Sequence, residues 1–173
     1  ACENDDSPIG IRDAALIDVL AGCGLRRTEI VSLDFETLSI TERSFKVLGK
    51  GNKERLSFIP SGAWSRLSRW LEHSGHGQGA LFTRIRRHDA ITDGRLSAQA
   101  IYHILHTRAA EAQVEKFSPH DLRRTYATTL FDKGVDIITV KDALGHESVS
   151  TTQKYDKRGT DRMKQASEHI NYL

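Results

Sequence analysis

Apolar positions recur along this chain in two rhythms, one helical and one alternating, and their succession outlines the elements. Across residues 9–21, Ala14, Leu16, Ile17, Leu20 and Ala21 fall on a helical stripe, which Gly-Cys-Gly at 22–24 breaks. A second, short helix is expected to begin at Arg26 and to carry Glu29, Ile30 and Leu33. The rhythm then changes. Residues 37–40, 44–48 and 55–59 read as strands, the last two joined by Gly-Lys-Gly-Asn-Lys at 49–53, a strong hairpin signal. Lys50 and Lys53 then lie near an exposed tip. Pro60 ends that strand, and Ser61 can cap a helix reaching residue 72, with Trp64, Leu67, Trp70 and Leu71 as its apolar positions. Residues 73–79 read as a flexible loop, 80–83 as a short strand, and 84–95 as basic and irregular. Ser97 can cap a helix reaching residue 111, with Ile101, Ile104 and Leu105 on one face.

The stretch 118–155 carries the densest chemistry. Ser118 suits a helix N-cap and Pro119 the first helical position. His120 and Arg123 follow three residues apart, on one helix face. A helix N-terminus favours an anion, above all a phosphate. A further helix over 137–144 stops at Gly145, and His146 sits just beyond. Ser148 or Ser150 can cap a short third helix carrying Tyr155; Ser150 and Gln153 have capping-box spacing. Two imidazoles, a guanidinium and a phenol are thereby expected near one another, a set suited to attack on a phosphate ester. A last helix over 158–170 aligns Met163, Ala166 and Ile170 in an apolar stripe.

Composition narrows the classes without choosing a partner. The 173 residues suit one domain with a core, 38% are hydrophobic and 28% charged, and no apolar run reaches membrane-spanning length. Lys and Arg number 25 against 23 Asp and Glu, so the net charge of +2 favours no partner. Distribution says more: acidic residues crowd the first six positions, and basic ones recur through 43–55 and 84–108. Cys2 and Cys23 form no metal-ligand pattern; reduced intracellular thiols are the simpler reading, and a Cys2–Cys23 disulfide is the alternative that nothing requires. His73 and His76 lack a nearby third ligand, so no zinc site is expected.

Five motifs in order carry a resemblance. Gly-Leu-Arg-Arg-Thr-Glu at 24–29, Gly-Lys-Gly-Asn-Lys-Glu-Arg-Leu at 49–56, His-Asp-Leu-Arg at 120–123, Leu-Gly-His at 144–146, and Tyr155 nine residues on resemble the tyrosine recombinase (phage integrase) family. The hairpin motif is most similar to the bacterial Xer-type branch. The resemblance implies a mainly helical fold with a small antiparallel β-sheet, and a cytoplasmic protein of bacterial or phage origin. It also implies a lead-in over 1–8 and a catalytic domain over 9–173, without the family's N-terminal core-binding domain. The implied partner is double-stranded DNA, with self-association as a tetramer on DNA through the C-terminal segment. Neither metal nor other cofactor is implied.

The implied activity is site-specific recombination or integration of DNA through a 3′-phosphotyrosyl intermediate. Arg26, Lys50, His120, Arg123, His146 and Tyr155 match the family's catalytic positions. Guanidinium forks at Arg26 and Arg123 suit the non-bridging oxygens of a phosphate, and His146 would add a hydrogen bond there. Tyr155 is the implied nucleophile, His120 a base or proton relay, and Lys50 the general acid for the leaving 5′-oxygen. On chemistry alone Arg27 competes with Arg26 and Lys53 with Lys50; the family's register favours Arg26 and Lys50. Arg84, Arg86, Arg87, Arg95 and Arg108 are either contacts to DNA backbone or an ordinary solvated face. Two other functions are weighed against recombination: a recombinase-like module that holds DNA without cutting it, and a metal-free phosphodiesterase that releases its product by hydrolysis.

Overall fold

The computed structural model describes residues 5–49, 51, 53–75 and 77–168. The chain forms two compact units, Ala1–Tyr126 and Ala127–Leu173. In chain order the elements are α1 (Pro8–Gly22), α2 (Arg27–Val31), β1 (Leu38–Ser39), β2 (Ser44–Leu48), β3 (Glu54–Phe58), α3 (Ser61–Ser74), β4 (Thr83–Ile85), β5 (Ile91–Arg95), α4 (Ala98–Glu111), α5 (Pro119–Asp132), α6 (Ile137–Leu144), α7 (Val149–Gln153) and α8 (Gly159–Glu168). Helix dominates, with small antiparallel sheets. Among the described residues no helix is long and apolar enough to cross a membrane.

In the first unit α1 packs on α3. Ser7 caps α1 by accepting the Gly10 N–H at 3.1 Å, and Leu16, Val19 and Leu20 are wholly buried. Trp70 of α3 is buried beside them, its indole N–H donating to the Leu81 carbonyl at 2.8 Å. Trp64 is half-buried, with the Arg43 guanidinium 5.7 Å from its ring centre. Cys23 is a free buried thiol, and burial pushes its pKa up to about 12.

Charge also holds this core. Arg12 and Asp13 pair within α1 at 2.6 Å, and Arg108 of α4 reaches Asp13 at 2.9 Å, Asp5 at 2.8 Å and Glu111 at 2.8 Å. Arg12 also donates to the Thr83 carbonyl of β4 at 3.2 Å. Such buried pairs resist removal of one partner, because a bare charge would remain in a low-dielectric interior. Asp5, inside the acidic lead-in, is thus tied to α4, and Asp6 pairs with Arg69 at 2.5 Å.

Strands β1, β2 and β3 form one antiparallel sheet in that order. In register, Phe45 faces Ser57 and Val47 faces Arg55. Alternation turns Phe45 and Val47 inward, and Arg55 shares their face. The Gly49 N–H closes the hairpin on the Lys53 carbonyl at 2.8 Å.

Several expectations are corrected. The strand expected over 37–40 is only Leu38–Ser39. Segment 84–95 is irregular only around 86–90: β4 and β5 flank it and pair antiparallel, Ile85 opposite Ile91 and Thr83 opposite Arg95, with a register shift between them. Its period-2 signal is masked by arginines on the outward positions, Arg84 exposed between buried Thr83 and half-buried Ile85. Pro60, not Ser61, is the N-cap of α3. Of the two expected caps for α7, Ser148 takes the role. Of the terminal stripe only Met163 has a described side chain, and it is 69% exposed; Ile170 lies outside the described residues.

Gly24 combines a close approach with a left-handed backbone. Its φ is +57°, and a Cβ there would meet the Tyr126 ring at 2.4 Å. Gly24→Ala therefore combines a left-handed backbone penalty with overpacking, and about 2–4 kcal/mol of stability should be lost in urea unfolding.

Candidate active site

Three guanidiniums of the first unit gather around Glu29, a residue only 4% exposed. Arg26 precedes α2 in extended conformation, and Glu29 lies one turn on. The carboxylate accepts the Arg26 backbone N–H at 2.8 Å and its guanidinium at 2.6 Å. Arg55, turned inward by the β3 alternation, meets it with two parallel bonds of 3.0 and 2.9 Å. Arg123 of α5 is 3.9 Å away and donates to the Gly24 carbonyl at 2.5 Å. Three guanidiniums against one carboxylate leave two positive charges at one spot. Burial by itself would raise the Glu29 pKa; the bonds from Arg55 and the Arg26 backbone outweigh it, and the net direction is down.

Arg123 is buried, Arg26 half-buried and His120 exposed. His120 is in the first turn of α5, as expected. That turn is closed by Asp121 accepting the Ser118 N–H at 2.9 Å and Ser118 Oγ accepting the Asp121 N–H at 3.2 Å. Lys50 lies outside the described residues.

The second unit places His146 and Tyr155 together. Asp136 caps α6 by accepting the N–H groups of Ile138 and Thr139 at 2.9 and 3.0 Å. Gly145 ends the helix with φ +62°, and the His146 N–H returns to the Lys141 carbonyl at 3.0 Å. His146, 9% exposed, has Nδ1 2.8 Å from Thr152 Oγ1. Its ring stacks on Tyr155, with centroids 6.1 Å apart and planes 24° apart. Tyr155 is not on the third helix as expected. It follows α7 by two residues, its N–H bonded to the Thr152 carbonyl at 3.0 Å. Beyond it, Arg158 forks onto Asp156, donates to the Phe131 carbonyl at 3.2 Å and lies 4.7 Å over the Phe131 ring.

Two of the arginines considered for DNA are committed within the protein instead. Arg108 holds the α1–α4 ion network, and Arg95 donates to the Val31 and Leu33 carbonyls and to Asp34. Arg84, Arg86 and Arg87 are exposed.

Three supporting residues were missed or left open by sequence reasoning. For Glu29 the i+3 spacing from Arg26 is the available signal. Arg55 and Thr152 had none, because their roles arise from strand alternation and from a loop folding back.

The phage integrase family model matches residues 1–161. The chain belongs to the phage integrase family. It is 37% identical over 165 residues to a tyrosine recombinase XerD of Proteus mirabilis, covering 92% of this chain and 51% of that protein. To a tyrosine recombinase XerC of Corynebacterium efficiens it is 35% identical over 158 residues, covering 90% of this chain and 49% of that protein. The chain thus spans about half the length of the curated relatives it matches. Among solved structures, XerA recombinase aligns with a TM-score of 0.75 at 26% identity, over 94% of this chain and 58% of that one. XerH site-specific recombinase bound to palindromic difH substrate, in a post-cleavage complex, aligns with a TM-score of 0.75 at 23% identity. That match covers 95% of this chain and 47% of that one, and shows likeness of fold.

Because the folded Glu29 carboxyl titrates below its unfolded value, its contribution is present above the ordinary glutamate range and is lost as pH falls through the lowered value. Glu29→Gln should cost about 3–5 kcal/mol at neutral pH. The gap from wild type should narrow in urea melts run below about pH 4.3.

Proposed function

We propose that this chain is the catalytic portion of a site-specific DNA recombinase or integrase, cutting and rejoining strands through a 3′-phosphotyrosyl intermediate. The observation that carries the reading is the Tyr155 ring stacked on buried His146, nine residues upstream, in a chain of this family. The doubly positive Arg26–Arg123 cluster supports it.

The chemistry follows from the charges. A phosphodiester repels an incoming phenolate, and negative charge grows on its non-bridging oxygens as the bond forms. Arg26, held by Glu29, and Arg123, held by the Gly24 carbonyl, would bind those oxygens, and His146 would donate one more hydrogen bond. The Tyr155 oxygen would attack phosphorus while His120 takes or relays the phenol proton. The P–O5′ bond would break as Lys50 supplies a proton to the leaving oxygen. The phosphotyrosine keeps the energy of the broken ester, so a 5′-hydroxyl of another strand can reverse the step without ATP, metal or other cofactor.

Double-stranded DNA is the proposed partner. The proposal includes assembly as a tetramer on DNA through the C-terminal segment, and a cytoplasmic protein of bacterial or phage origin.

A nicked duplex that traps the covalent intermediate tests the reading on a denaturing gel. A shifted DNA-linked band is expected, and it should disappear in Tyr155→Phe. DNA binding with no such band would favour a holding module instead, and free cleaved product would favour hydrolysis. Deleting residues 159–173 should weaken assembly on DNA, read by gel shift, more than it lowers the melting temperature; equal losses would assign that segment to its own domain's packing.

A further inference from the structure

Thr152 stands at a junction that the six family positions do not explain. It is wholly buried in α7. Its hydroxyl oxygen lies 2.8 Å from His146 Nδ1, and its carbonyl accepts the Tyr155 N–H at 3.0 Å. One residue therefore touches both members of the His146–Tyr155 pair, through two different groups.

We propose that Thr152 is a positioning residue for His146, holding its imidazole as the Nε2–H tautomer and fixing the ring's rotation beside Tyr155. This rests on the recombinase reading above. A neutral imidazole has one N–H, and which nitrogen bears it follows from what the other nitrogen meets. A hydroxyl donating to Nδ1 leaves the proton on Nε2, where it can donate to a phosphate oxygen. With the opposite tautomer, Nε2 would present a lone pair to an anion, which repels it. If the ring takes a second proton, the same hydroxyl turns and accepts from Nδ1–H, so Nε2 stays a donor in both states. Valine has nearly the same shape and can do neither. Burial sharpens the preference, since a wholly buried hydroxyl without a partner is costly.

The carbonyl contact adds a geometric constraint. Tyr155 follows the last turn of α7, and its backbone is pinned to the residue whose side chain orients His146. The spacing of phenol and imidazole is thereby set within a few bonds. The backbone link survives any side-chain change at 152, so substitution there isolates the hydroxyl.

The test compares Thr152→Val and Thr152→Ser in the full chain. Long-range 1H–15N correlation spectra of labelled protein report the His146 tautomer without any DNA. Wild type and Thr152→Ser should show the Nε2–H pattern, while Thr152→Val should show a mixture. On the nicked duplex, Thr152→Val should keep its DNA affinity within about 2-fold and lose roughly 10–100-fold in the rate of covalent trapping, less than removal of an oxyanion donor outright. Thr152→Ser should recover most of that rate. The melting temperature of Thr152→Val should fall by no more than about 4 °C, equivalent to one lost hydrogen bond. Wild-type trapping in Thr152→Val, a Thr152→Ser rate as slow as the valine variant, or an Nδ1–H tautomer in wild type would each overturn the proposal. If wild type formed no covalent product, the recombinase reading would fail, and the tautomer spectra would still decide what Thr152 does to His146.

Discussion

A buried carboxylate, Glu29, determines where three guanidinium groups of the first unit come to rest. Without a central anion, Arg26, Arg55 and Arg123 would repel one another in a poorly solvated place. With it, Arg26 and Arg55 are oriented by hydrogen bonds to the carboxylate and Arg123 lies 3.9 Å from it, held by the Gly24 carbonyl, and three guanidiniums share one carboxylate. Arg55 matters as much as the family's own arginines here. Its two parallel bonds share the Glu29 carboxylate with the Arg26 guanidinium. In the proposed reaction, such a preorganised patch would need no reorganisation as charge develops on a phosphate.

The second unit solves a different problem by local means. His146 has to leave a helix abruptly and point in one direction. Gly145 turns the chain in the left-handed region, and the His146 N–H satisfies a carbonyl of the helix it has just left. Tyr155 is reached after a helix of five residues, and Arg158 fastens the following segment to the end of α5.

Arginine usage separates scaffold from surface. Arg12, Arg95 and Arg108 are consumed by carboxylates and carbonyls that join α1, α4 and the β4–β5 hairpin. Arg84, Arg86 and Arg87 in the same basic stretch are exposed. Equal-looking charges in the sequence thus divide by whether a carboxylate from a distant element reaches them.

The helices, the β2–β3 hairpin and the motif order could be read from the chain alone, because periodicity, caps and turn glycines are local properties. Ser7, Ser97, Asp136 and Gly145 act within a few residues of themselves, and their stop and start signals sit where the elements begin or end. The β4–β5 strands were obscured because arginine on outward positions hides the alternation. What only tertiary structure decided is the company each side chain keeps: Arg55 against Glu29 across 26 positions, Arg108 against Asp13 across 95, and Thr152 beneath His146. Those contacts depend on how elements pack and how a loop returns, and in the sequence a charged or hydroxyl residue looks the same whether it meets water or a buried partner.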